Sequence, residues 1–251
     1  MMRLALLLML LWFPCADAAT DLSSFAYDQH PGAQLPLRTL FKDGSGRVLS
    51  LGQALANRPT ILALGYFHCP NLCGLVRNDL MNALGRLDAP ANYSLVVLSI
   101  DPSETPADAR SAQEADAARF EPAAGGHYLT GSAEAVRSVT DAVGLRARFD
   151  AEDRQFLHPA GLVFLTSTGA VSGYLLGLGY QPSDIGLNIT RAASGVAERA
   201  LPILLLCFHY DPTTGRYTLA ILRVVQLGAA ITVMVVAGIV MLALHRERRS
   251  Q

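Results

Sequence analysis

The sequence predicts an α/β sandwich with a mostly parallel sheet that ends in an antiparallel hairpin. Two observations predict it. Continuous apolar runs of strand length, TILALGYF (60–67) and YSLVVLSI (93–100), suit strands covered on both faces. The segments between such runs carry apolar residues at helical spacing, giving the order β-α-β-α-β-α-β-β-α.

The elements follow in chain order. FKDGSGRVLSLGQAL reads as a short hairpin turning at Asp43-Gly44, then a brief helix near Leu51 to Ala56. Pro59 and a cysteine loop bound the strand Thr60 to Phe67. Leu75, Val76, Leu80, Ala83, Leu84 and Leu87 then recur at helical spacing. Asp101-Pro102 closes the second buried strand, and Thr105-Pro106 supplies an N-cap and first-turn pair for the next helix. HYLTGS is a short strand and turn, and the helix after it opens at Ser132 and stops at Gly144. Two strands flank the turn Ser167-Thr168-Gly169, and QPSDIGLNITRAASGVAERA forms the last helix.

A chain of 251 residues holds one such domain with extra segments at its ends. A net charge of −1 leaves no basic footprint for nucleic acid. Apolar residues make up 51% and charged ones 16%, and the apolar excess sits at the two ends. Residues 1–19 run from Arg3 through the apolar Leu4–Phe13 to Ala16-Asp17-Ala18, the order of a cleavable signal peptide. Cys15 as a lipid-attachment site is the alternative, disfavoured by Phe13-Pro14 ahead of it. Residues 224–244 are uncharged and, at about 1.5 Å per residue, reach about 31 Å, enough for a transmembrane helix. Three arginines in the tail 245–251 put that tail in the cytoplasm. The expected layout is a functional domain at 20–200, a juxtamembrane hairpin at 201–223, and a single C-terminal span in a bacterial cytoplasmic membrane.

Outside the cytoplasm a close cysteine pair is a disulfide, a pair kept reduced by a partner, or a metal site. GYFHCPNLCG places Cys69 and Cys73 four apart where a strand feeds a helix. Helix-start N–H groups favour a thiolate, so the expectation is a lowered thiol pKa. Residues four apart share one helix face, so the pair suits one ion or a disulfide. Thioredoxin-type motifs have two intervening residues, whereas this one has three, and no second cysteine pair completes a structural zinc set. Two thiolates with one imidazole suit copper, Cu(I) above all. Cys207 and His209 would share a strand face in the juxtamembrane hairpin, either as packing or as a second copper contact.

YFHCPNLCGLV after one apolar strand, LSIDPSETPADA after the next, HYLTGSAEAV before a helix and a histidine ahead of GLVFLT resemble the Sco/SenC family over roughly residues 30–200. The resemblance implies a thioredoxin-like fold, membrane tethering, and a role in assembling the dinuclear copper centre of cytochrome c oxidase subunit II. It implies one copper ion, as Cu(I) with Cu(II) as a further state, on Cys69, Cys73 and His158. The implied partners are the copper-binding subunit of a respiratory oxidase and other periplasmic copper or thiol-redox proteins. Many relatives carry an acidic residue within the motif and a proline after it, where this chain has Asn71 and Gly74. The usual anchor of the family is N-terminal. Pro159 restricts His158 to extended backbone and marks the bond between them as a candidate cis peptide. His68 is expected to point away from the pair, with His30, His127 and His245 in surface or tail contexts. The competing reading is a thiol:disulfide oxidoreductase that keeps the cysteines of the apo copper subunit reduced, with Cys69 and Cys73 as nucleophile and resolving thiol.

Overall fold

A computed structural model of the chain describes residues 26–69, 73–87, 92–151, 154–199 and, near the C-terminus, 228–229, 231–234, 236 and 238. The first four stretches belong to one unit and the C-terminal positions to a second.

The unit is built on a seven-stranded mixed sheet ordered β11-β10-β4-β5-β6-β2-β3, with β2 Leu40–Asp43, β3 Val48–Ser50, β4 Thr60–Gly65, β5 Ser94–Ser99, β6 His127–Thr130, β10 Gly161–Leu165 and β11 Val171–Leu176. β4, β5 and β6 are parallel, whereas β10 pairs antiparallel with β4 and with β11. The helices are α1 Leu51–Leu55, α2 Cys73–Leu84, α3 Pro106–Ala117, α4 Glu121–Ala124, α5 Ala133–Ala142 and α6 Pro182–Ala193. The continuous apolar runs are explained by burial on both faces. Leu62 and Leu64 of β4, Val96 and Leu98 of β5, and Val163 and Leu165 of β10 pack with α1 and α5. Their neighbours Ile61, Ala63, Leu95, Val97, Leu162 and Phe164 pack with α2, α3 and α6.

Within residues 40–193 each expected strand and helix is present, but two expectations are corrected. The last helix ends at Ala193, where 181–200 was expected, and the sheet is parallel only across β4, β5 and β6, since β2 pairs antiparallel with β3 and β6, and β10 with β4 as well as β11. Leu75 departs from its helical pattern: it is exposed, while Val76, Leu80, Ala83 and Leu84 are buried. Two small antiparallel pairs and the short helix α4 escaped the sequence reading, the pairs being β1 Ala26–Tyr27 with β7 Leu145–Arg146, and β8 Arg148–Asp150 with β9 Gln155–Leu157. Strands of two or three residues carry too little periodicity to declare themselves.

The C-terminal positions described are helical, with Ile231, Val233, Met234 and Val236 exposed. Among the described residues no helix is long and apolar enough to cross a membrane. Most of the expected span 224–244, the leader 1–19, the hairpin 201–223 with Cys207 and His209, and the tail 245–251 lie outside the described residues.

Gly144 is the tightest backbone approach in the fold. Its φ of +67° is left-handed, and a Cβ there would sit 1.7 Å from the Asp28 carbonyl oxygen, on the stretch where the Asp28 N–H donates to the Gly144 carbonyl. Gly46, at φ +83°, has open space around it. Gly144→Ala is therefore expected to cost several kcal/mol, from left-handed strain plus a backbone clash, and Gly46→Ala only about 1 kcal/mol. Urea unfolding of both variants checks this, and equal losses would contradict the close approach.

Candidate functional site

The site forms at the carboxyl end of β4, where the chain leaves the sheet at Gly65 and re-enters helical structure at Cys73. Antiparallel pairing of β10 with β4, registered at Leu162 opposite Ala63, brings the start of β10 to that same end. His158, in the connection between β9 and β10, thereby meets Cys73 across 85 residues of sequence, with Cys73 Sγ 3.3 Å from His158 Nε2. Gly65 lines the floor, since a Cβ there would lie 3.5 Å from the Cys73 sulfur and 3.8 Å from His158 Cε1.

His158 Nδ1 lies 3.1 Å from the Pro159 carbonyl oxygen. A carbonyl only accepts, so Nδ1 carries the proton and Nε2 turns its lone pair toward Cys73. Burial holds the imidazole below its usual pKa, against the raising effects of the Pro159 hydrogen bond and the charge of Cys69. The neutral ring this favours is the form that ligates metals. The His158–Pro159 bond is trans, as are all peptide bonds among the described residues, so the cis candidate is corrected.

Cys73 is buried, Cys69 is partly exposed, and neither is in a disulfide. The Cys73 thiol lies well above the usual range. Its hydrogen bond with the Cys69 side chain is the largest cause, followed by burial and the charge of Cys69, with a Tyr66 backbone hydrogen bond and the Arg77 charge opposing. This reverses the lowered pKa expected from the helix start. Two thiols held together in an apolar recess disfavour a thiolate more than one helix turn favours it.

Several contributors escaped the sequence reading. Tyr66 is buried beside the pair, with its pKa raised by burial first and then by Cys69. Its ring packs edge-on to His158 at 6.1 Å and to Phe156 at 6.0 Å, and Phe156 packs on the exposed Phe149 at 5.1 Å. Tyr66 thus packs on the imidazole, and the β8–β9 pair backs Tyr66 with Phe156 and Phe149. Glu104 is the second contributor. Its carboxylate, 3% exposed, accepts from the Phe67 N–H at 2.9 Å, the His68 N–H at 2.7 Å and the Ser99 hydroxyl at 2.5 Å. A buried carboxylate without such partners would cost several kcal/mol. Three donors hold it, and it in turn fixes the chain ahead of Cys69.

His68 points away from the pair, as expected. Its side chain is 69% exposed, with Nδ1 3.2 Å from Glu104 and Nε2 3.5 Å from Asp108. His30 is exposed, but His127, read as a surface residue, is half-buried in β6, and burial lowers its pKa. His245 lies outside the described residues. Among the described residues, no three His, Cys, Asp or Glu side chains already surround one point at metal-ligand spacing. The structure brings Cys73 and His158 into contact and sets Cys69 against Cys73.

Residues 42–193 match the SCO1/SenC family. The chain belongs to this family. The thioredoxin-like Sco fold expected from the motifs is the fold observed. Among solved structures, the chain is similar to a candidate electron transfer protein from Aquifex aeolicus VF5 at 22% identity and TM-score 0.58, covering 66% of this chain and 95% of that one. It is similar to Arabidopsis thaliana ScoI, a structure with copper bound, at 18% identity and TM-score 0.52, covering 66% and 98%. It is also similar to BsSco, a Sco-family cytochrome c oxidase assembly protein with a disulfide switch, at 18% identity and TM-score 0.50, covering 66% and 97%. At these identities the likeness establishes the fold. No curated protein sequence matches the chain.

Glu104→Gln leaves one of the three donors facing an amide NH₂. It is expected to destabilise the protein by about 1–3 kcal/mol and to speed amide exchange at Phe67 and His68. Unfolding together with residue-resolved hydrogen exchange checks this, and unchanged exchange at both amides would contradict the anchoring role.

Proposed function

We propose that this Sco-family chain is a copper-binding assembly factor for the dinuclear copper centre of a respiratory cytochrome c oxidase, with Cys69, Cys73 and His158 as its ligands. The observation that carries the reading is the 3.3 Å contact between Cys73 Sγ and a His158 Nε2 whose partner nitrogen is committed to the Pro159 carbonyl. Two sulfurs and a neutral imidazole fit Cu(I), a soft ion, better than harder divalent metals. Cys69, already hydrogen-bonded to Cys73, would supply the third donor. The copper-bound state of Arabidopsis thaliana ScoI and the oxidase-assembly family of BsSco support the same reading. The copper is cargo bound for an oxidase subunit. The chain's own residues hold it, exclude water with aromatic rings, and keep Cys69 at the accessible side.

A second reading, thiol:disulfide exchange that keeps a partner's cysteines reduced, is favoured by one observation. Cys69 is partly exposed and hydrogen-bonded to a buried Cys73, the arrangement of an attacking and a resolving thiol. The two readings part at His158, which copper requires and thiol exchange does not. Reduced protein is expected to take up about one equivalent of Cu(I), and His158→Ala to bind it at least about tenfold more weakly while still exchanging thiols. Chelator competition on both forms checks this. Protein that reduces a disulfide partner but takes up no Cu(I) would establish the second reading.

The proposed setting is the periplasmic face of a bacterial cytoplasmic membrane, reached by a leader at 1–19 and held by a span at 224–244. Uncharged length in that segment and the arginines beyond it support this topology. A reporter active only outside the cytoplasm is expected to work when fused after Thr20 or near Gly195 and to be silent after Gln251. Activity at Gln251 would overturn the orientation.

A further inference from the structure

One buried charged group next to the cysteines has no part in the ligand set. Arg77 stands one helical turn after Cys73 on α2, so the two side chains share a face. Its Nε donates to Asp116 Oδ2 at 2.8 Å, and the Tyr128 hydroxyl donates to the same oxygen at 2.8 Å. The Arg77 side chain is 12% exposed and that of Asp116 1%. Asp116 Oδ1 makes no hydrogen bond among the described residues, and Arg119 approaches it only to 3.5 Å. Buried ion pairs are seldom the cheapest way to fill a core, because desolvation offsets much of their attraction. The position of this one is informative. Arg77 lines the same small recess as Tyr66, Cys73 and His158, whose other walls are apolar, including Val76 and Val97.

Cu(I) on two thiolates and a neutral imidazole leaves one net negative charge in that recess. Such a charge is costly among apolar walls unless a cation faces it. Among the residues lining the recess, Arg77 is the permanent cation. We propose that Arg77 is the counter-charge of the copper site, with Asp116 and Tyr128 holding its guanidinium in place beneath Cys73 and Asp116 also setting how much of its charge the site feels. The inference rests on the copper reading above and adds to it a positioning residue that is no ligand.

The test uses the sign of the effect. Arg77→Gln and Asp116→Asn break the same ion pair; Asn has the shape of Asp, and Gln is a shorter neutral side chain that still donates hydrogen bonds. Both are expected to lower the urea midpoint. Their effects on copper are expected to be opposite: Cu(I) affinity of the reduced protein, by chelator competition, falls about tenfold in Arg77→Gln and rises by a similar factor in Asp116→Asn, the scale of one unit charge in a protein interior. Arg77→Lys keeps the charge and stays within about threefold of wild type. A purely structural pair would weaken copper in both neutral variants or in neither, and either pattern overturns the counter-charge. Should Asp116→Asn fail to fold, Arg77→Gln binding as well as Arg77→Lys overturns it, and a clear difference between them upholds it. Wild-type protein that takes up no Cu(I) refutes the copper reading itself, and the counter-charge with it.

Discussion

The antiparallel pairing of β10 with β4 is the constraint on which the site depends. In a purely parallel sheet the start of β10 would lie at the opposite end of the strands from the end of β4. Here the register of Leu162 opposite Ala63 and Val163 opposite Leu62 runs the two strands head to tail. The chain before β10 therefore arrives where the chain after β4 departs. A cysteine at the first turn of α2 and a histidine 85 positions later meet at 3.3 Å for that reason. Both strands are buried on both faces, so slipping the register by one residue would exchange the residues facing the two cores. Core packing thus protects the meeting of Cys73 and His158.

The loop between β4 and α2 needs separate control, since it leaves the sheet before reaching Cys69. Glu104 supplies that control from the connection between the neighbouring parallel strand β5 and α3, joining two loop amides to the Ser99 hydroxyl. The same carboxylate faces the His68 ring, which in turn approaches Asp108 of the Thr105 cap of α3. Loop, strand end and helix start are therefore one hydrogen-bonded assembly. Arg77 and Asp116 give α2 and α3 a second, deeper tie. Cys73 is fixed by that buried framework, while Cys69 remains at its open side.

The large elements were legible in the sequence because their patterns are long. TILALGYF and YSLVVLSI cannot be half-exposed strands, and Thr105-Pro106 and Ser132 mark helix starts by their chemistry. The cysteine pair was legible by spacing, and His158 chiefly through family resemblance, because one histidine ahead of a strand has many bland explanations. Glu104, Tyr66 and Arg77 were not legible. Each looks ordinary in its own segment, one before a helix cap, one in an apolar strand, one on a helix, and acquires meaning only through contacts across 36 or 37 residues or more. The thiol pKa was misread for a related reason. The helix-start effect is local and visible in sequence, whereas the opposing burial and the Cys69–Cys73 hydrogen bond are products of packing.

The proposed copper site takes Cys69, Cys73 and His158 as one donor set. X-ray absorption at the copper edge of reduced protein loaded with one equivalent of Cu(I) reads that set directly. Two sulfur scatterers and one imidazole nitrogen are expected, with the imidazole signal lost in His158→Ala. A spectrum of sulfur donors alone, or one that His158→Ala leaves unchanged, would contradict it.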